Sequence, residues 1–189
     1  MAEMAAGFQW DFAHNWMAEV LTVRPMILPT RHYTYPAVVE EVEKGALEVL
    51  VRRGEEQPWL ATCALGFRDA AAPTGLWAMP DPDWLCAVSG GYAYLIDTRE
   101  PERFVQMVWR PVLQVRAVSE LGLLLFVGHH AMVAWGRDGL AWESERLSWE
   151  GVTIDRVEGE TLHGAGWDLM TDRETPFALD LTTGLRRQG

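Results

Sequence analysis

The sequence predicts an all-β fold built from antiparallel hairpins that recur about every 39 residues. Three observations carry this. Most apolar runs are short, rich in β-branched or aromatic residues, and bounded by Gly, Pro, Asp or charge, as strands are. Helical periodicity is weak everywhere. Two hairpin-like stretches, "WLCAVSGGYAYLID" and "LLLFVGHHAMVAWG", superimpose without a gap at an offset of 39.

Taken in order, residues 1–35 do not fit the repeat and are expected to cover a sheet edge, because unpaired edges recruit other chains. Within them Trp10–Leu21 is one of two helix candidates. The other is "YPAVVEEVEKG", Tyr35–Gly45, and neither has a sustained apolar stripe. Residues 36–189 hold the β repeats. Strands are expected over Ala46–Val51, Trp59–Leu65, Trp84–Val88, Tyr92–Ile96, Val112–Val118, Leu123–Val127 and Ala131–Trp135. Ser89-Gly90-Gly91 reads as a hairpin turn, since glycine tolerates the positive φ of tight two-residue turns. At the same offset Gly90-Gly91 falls on His129-His130. Leu76, Val115 and Ile154, then Met79, Val118 and Val157, then Trp84, Leu123 and Leu162 repeat the spacing, apolar at every place. Periods near 40 residues belong to propeller blades and other stacked units. A small or incomplete β-propeller-like stack is therefore the expected architecture, within a single domain of 1–189, a length that fits one domain.

The run "ALDLTTG", Ala178–Gly184, resembles the third strand and turn of a β-propeller blade of the type found in quinoprotein dehydrogenases. "DGLAW", Asp138–Trp142, is similar to the turn and closing strand of such blades. The resemblance covers the C-terminal half, Trp84 to Gly184, and implies fold rather than activity. It brings no quinone: the catalytic residues of those larger rings have no counterpart here. The last repeat departs from the pattern by about five extra residues within Gly166–Thr175, if Asp180 is matched to Gly136.

Composition narrows the function. Of 189 residues, 49% are hydrophobic and ten are tryptophan, which is globular rather than disordered. A net charge of −11 repels a phosphate backbone, so no nucleic-acid partner is expected. Cys63 and Cys86 stand apart in apolar surroundings and read as reduced core thiols. No run is long enough to span a bilayer and "MAEMAAGFQWDFAHNW" has no leader signature, so the expected location is cytoplasmic, without a membrane.

Several motifs invite a chemical reading. His129 and His130 are adjacent, and successive strand residues point to opposite faces, so they do not chelate one metal readily. They are read as turn residues, His being one of the non-glycine types that adopt positive φ. His14, His32 and His163 lack HxH or HxxxH spacing, and no metal site is expected. "AVSGG" around Ser89 is close to a nucleophile elbow, but a strand follows where a helix is needed. "HGAGWD", His163–Asp168, has the letters of a WD-type blade without the spacing. No phosphate-cradling glycine loop occurs, so no nucleotide cofactor is implied. The acidic loop "GWDLMTDRE" is the candidate site. Asp168, Asp172, Arg173 and Glu174 lie on the inserted residues, His163 stands just before them, and loops that depart from a repeat carry function. They do not form a calcium loop. Trp77, Trp84, Trp109, Trp135, Trp142, Trp149 and Trp167 recur near strand ends; most are expected in the core, with one or two exposed. The resulting expectation is a non-enzymatic interaction or ligand-binding module, joining a protein partner or itself. The alternative is a hydrolase drawing on His129, His130, His163 and Asp168, if these converge in one deep pocket.

Overall fold

Alternation of burial along strands decides what packs where, and in the computed structural model it can be followed over residues 7–37, 42–67 and 71–187. The chain forms two compact units, Met1–Pro111 and Val112–Gly189. The all-β expectation is borne out: the described residues make sixteen strands and a single 3-10 turn at Ser119–Leu121. No helix among them is long and apolar enough to cross a membrane.

In the first unit, β2 (Met17–Leu21), β4 (Ala46–Arg52), β5 (Trp59–Ala64) and β3 (His32–Tyr35) form one sheet in the order β2-β4-β5-β3. β3 runs parallel to β5; the other pairs are antiparallel. The second sheet is a meander of β6 (Gly75–Ala78), β7 (Trp84–Ser89), β8 (Tyr92–Asp97) and β9 (Phe104–Gln106). β1 (Gly7–Gln9) lies parallel along its β6 edge. Val49, Val51, Ala61 and Cys63 point to one side of the first sheet and meet Leu76, Leu85, Ala87, Tyr94 and Ile96 of the second. Trp16 and Tyr35 fill the space between them. β7 and β8 are buried almost throughout, which is why their sequences are continuous apolar runs rather than alternating ones.

In the second unit, β10 (Gln114–Val118), β11 (Leu123–Val127), β12 (Met132–Gly136) and β13 (Gly139–Glu143) form a four-stranded meander. β14 (Val152–Glu158), β15 (Thr161–Asp168) and β16 (Arg173–Asp180) form a three-stranded one. Leu123, Leu125, Val127, Met132 and Trp142 pack against Leu162, Phe177, Leu179 and Leu181.

The offset of 39 reappears as strand register. Gly75 faces Val88 and Leu85 faces Ile96; 39 residues on, Gln114 faces Val127 and Leu124 faces Trp135. A further 39 on, Val157 faces Leu162, as Val118 faces Leu123. A bulge at Asp155, between Ile154 and Arg156, then moves the rest of β14 by one place. The "ALDLTTG" run is the end of the third strand of its sheet and the turn beyond. Gly184, at φ +73, lies against the Trp142 ring so closely that a Cβ would come within 2.6 Å of it.

Two expectations need correction. Trp10–Leu21 is not a helix: its last five residues are β2, where Ala18 and Val20 face the core while Met17 and Glu19 face out. The period there is two, and it is set by pairing with β4. The second candidate, Tyr35–Gly45, runs over residues 38–41, which lie outside the described residues, and its first residue Tyr35 is the end of β3. The two turns also differ in backbone. Gly90 and Gly91 have φ of +55 and +78, whereas neither His129 nor His130 is at positive φ. The histidine turn is closed by Gly128 N–H donating to the Ala131 carbonyl at 3.0 Å, and it is held from outside by the segment described next.

Candidate functional site

The eight residues Ser144 to Gly151 link β13 to β14, and a linker's backbone groups must find partners when it is buried. On one side Leu147 N–H (2.7 Å) and Ser148 N–H (3.2 Å) donate to the His130 carbonyl, and Gly151 N–H donates to that of His129 at 2.9 Å. His130 Nδ1 lies 3.2 Å from the Ser148 carbonyl, to which only an Nδ1–H can donate. On the other side Trp149 N–H donates to the Trp167 carbonyl at 2.8 Å, and Trp167 N–H to Ser148 Oγ at 2.8 Å. The approach is tight. A Cβ on Gly166 would collide with the Leu147 carbonyl and sit 2.9 Å from Ser148 Cβ, so β15 carries a glycine there.

This docking leaves a cleft of about 90 Å³ among Arg146, Ser148, Trp149, Trp167, Asp168 and Arg186. Its two arginines are used differently. Arg186 is committed: its Nε is 2.9 Å from Glu145 Oε1 and its Nη2 donates to the Arg146 carbonyl at 3.1 Å. Arg146 makes no ion pair among the described residues. Its guanidinium lies 4.3 Å from the centroid of Trp149, and that indole is 47% exposed.

β15 and β16 run past the linker to a tip at residues 169–172, with Asp168 paired to Arg173. Asp168 Oδ1 accepts from Met170 N–H (2.7 Å) and Thr171 N–H (3.2 Å). Asp172 takes φ +54, a left-handed conformation that Asp tolerates better than most residues. These two acids shape the tip, which projects Leu169 (59% exposed) and Met170 (88%) outward. Arg173 and Glu174 are exposed at the start of β16.

The structure therefore brings together the His129–His130 turn, the linker and Asp168, while Asp172, Arg173 and Glu174 lie further out on the hairpin. His163 stays apart. It precedes Asp168 by five residues on one strand, which puts the two about 16 Å apart with side chains on opposite faces. Its Nε2 lies 3.5 Å from Glu158 Oε2, and Glu158 is held below the usual carboxylate range by the hydrogen bond and charge of Arg156. Among the described residues no three His, Cys, Asp or Glu side chains are placed to hold a metal ion.

Ser89 ends β7, buried, and the Gly90-Gly91 turn and β8 follow it, so no elbow forms. Of the seven tryptophans near strand ends, two, Trp109 and Trp149, are exposed, and Trp10 outside that set is exposed as well. Arg146 and Arg186 were missed. Arg146 lies within the linker and Arg186 beyond the turn that follows β16, and nothing in the sequence pairs one with Trp149 and the other with Glu145.

No protein-family model matches the chain, and no curated protein matches it. Among solved structures it is similar to AztD of Citrobacter koseri at 10% identity with a TM-score of 0.42. The match covers 76% of this chain and 41% of that one.

Proposed function

We propose that this chain is a non-enzymatic interaction module on a small, propeller-like scaffold of blade repeats, and that the linker and hairpin tip of the second unit are its binding surface. The common register at an offset of 39 supports the blade reading. One observation carries the functional one: Trp149 is exposed, with an arginine that has no carboxylate partner stacked on its ring. Trp and Arg are the side chains in which binding energy concentrates, and an arginine left unpaired in a chain of charge −11 favours an acidic partner. Leu169 and Met170 add apolar surface beside it.

The geometry counts against the hydrolase arrangement. The cleft is far smaller than the roughly 300–1,000 Å³ of small-molecule sites. A larger cavity of about 360 Å³ is lined by Arg116, Val118, Glu120 and Val157, with a single carboxylate and no histidine, serine or cysteine. His163 is not beside Asp168.

The test is titration with a peptide alternating leucine and glutamate, followed by tryptophan fluorescence. Trp149→Ala and Arg146→Ala are each expected to weaken binding about tenfold with the melting temperature unchanged. Binding that is absent, or indifferent to both variants, ends this reading.

A further inference from the structure

The edges of the sheets suggest a second surface, on the first unit and independent of Trp149. An edge strand presents unpaired N–H and C=O groups, and proteins blunt such edges with shortness, proline, bulges or charge. Most edges here are blunted. β1 and β9 have three residues each, and β3 ends against Pro36. A bulge interrupts the pairing of β13, and β14 has both a bulge and the charges of Asp155, Arg156 and Glu158. β16 contains Pro176, and the chain beyond it folds back so that Arg187 N–H donates to the Ala178 carbonyl. β10, with Arg116 at its centre, and β2, with Glu19, are the two that remain, and only β2 exposes a large apolar side chain, Met17.

β2 is the contrast. Its five residues, Met-Ala-Glu-Val-Leu, keep unbroken register with β4 on one side, with neither proline nor bulge. Among the described residues nothing hydrogen-bonds to its other side. Ala18 and Val20 pack on the core, which fixes the strand in place. On the opposite face Met17, 66% exposed, and Glu19 border an open groove of about 190 Å³ backed by Leu50 and Arg52. Glu19 has no ion pair among the described residues and stands at the middle of the edge.

We propose that the outer edge of β2 accepts an extended segment of a partner protein as an added strand, one that alternates apolar residues with a lysine or arginine placed opposite Glu19. Main-chain hydrogen bonds supply the affinity in this mode, and alternate side chains supply the specificity. The apolar residues stand beside Ala18 and Val20 and extend the core-facing row, and the cation on the outer face neutralises the free carboxylate. A second copy of β2 fits less well: antiparallel pairing centred on Glu19 sets two carboxylates face to face, which is destabilising.

The experiment uses the full chain and a short peptide alternating valine and lysine. Binding is expected to slow hydrogen exchange at amides within Met17–Leu21. Glu19→Lys should weaken it about fivefold and favour the matching valine–glutamate peptide instead. A peptide of equal charge with proline in place of valine, which cannot join a ladder, should not bind. Trp149→Ala should leave the interaction unchanged, so failure here and failure of the first surface are distinguishable. No binding, equal binding of the proline peptide, protection outside β2, or indifference to Glu19→Lys each overturns the proposal. Thermal melting of Glu19→Lys, and of Glu19→Gln as a milder variant, shows whether a loss reflects unfolding.

Discussion

Gly90 and His129 occupy the same place in two hairpins and hold it by different means. Gly90 needs its positive φ, and a Cβ there would lie 2.5 Å from the Phe67 carbonyl oxygen and 2.8 Å from Leu65 Cδ1. Gly90→Ala is therefore expected to cost about 2–3 kcal/mol in urea unfolding, strain and collision together. His130 instead depends on one hydrogen bond to the Ser148 carbonyl, so His130→Ala should cost about 1 kcal/mol. The turn was legible from the sequence, but the reason was not: His is common at positive φ, yet this pair is held by the linker's donors. A second residue-scale prediction concerns pH. Burial alone would raise the Asp83 carboxyl, but hydrogen bonds from Asn15 and Arg53, the Arg53 charge and a bond from Arg99 together hold it below its ordinary value. The folded state then binds the proton less tightly than the unfolded chain. Its stabilisation is complete above the ordinary carboxylate range and is lost as pH falls through and below it. Asp83→Asn should lower stability at neutral pH by about 1–2 kcal/mol and flatten the acid limb of the pH–stability curve, measured by urea melts at each pH.

At the level of elements, legibility followed burial. The seven expected strands all exist within a residue or two, because each is an apolar run between turn residues and most are covered on both faces. β1, β2, β3, β6, β9, β14 and β15 were not among them: "GFQ" and "HYTY" are too short to show a period, and β2 acquires its alternation only by lying on β4. The hairpin insertion was visible as a break in the 39-residue offset. Its construction was less visible: Asp168 accepts hydrogen bonds from the tip's backbone, and Asp172 supplies its left-handed residue. This separates two functions of the tip. Replacing residues 169–172 by Asn-Gly, a turn that closes two strands by itself, should leave the melting temperature within a few degrees and weaken the leucine–glutamate peptide several-fold. Gly166→Val should do the opposite kind of damage. It drives a side chain into Leu147 and Ser148, lifts the linker, and is expected to cost about 2–3 kcal/mol while also abolishing binding.

For the molecule as a whole, length predicted one domain and the chain forms two units, each with sheets completed inside it. Composition could not show this, because apolar residues are spread along the sequence and give no linker signal at Pro111. The second unit has its own core, and its closure depends on residues that follow the last strand. Trp142 Nε1 donates to the Leu181 carbonyl at 2.6 Å, Gly184 lies against the same indole, and Arg186 pins the linker through Glu145 and the Arg146 carbonyl. A fragment of Val112–Gly189 should accordingly fold alone, with the modest stability of about 3–5 kcal/mol that one small core allows. Ending the same fragment at Asp180 removes every one of those ties and leaves the Trp142 N–H without its acceptor. That shorter fragment is expected to lose cooperative unfolding and near-ultraviolet circular dichroism. If it melts like the longer one, the sheets are held by Leu162, Phe177 and their neighbours alone, and the C-terminal turn is dispensable.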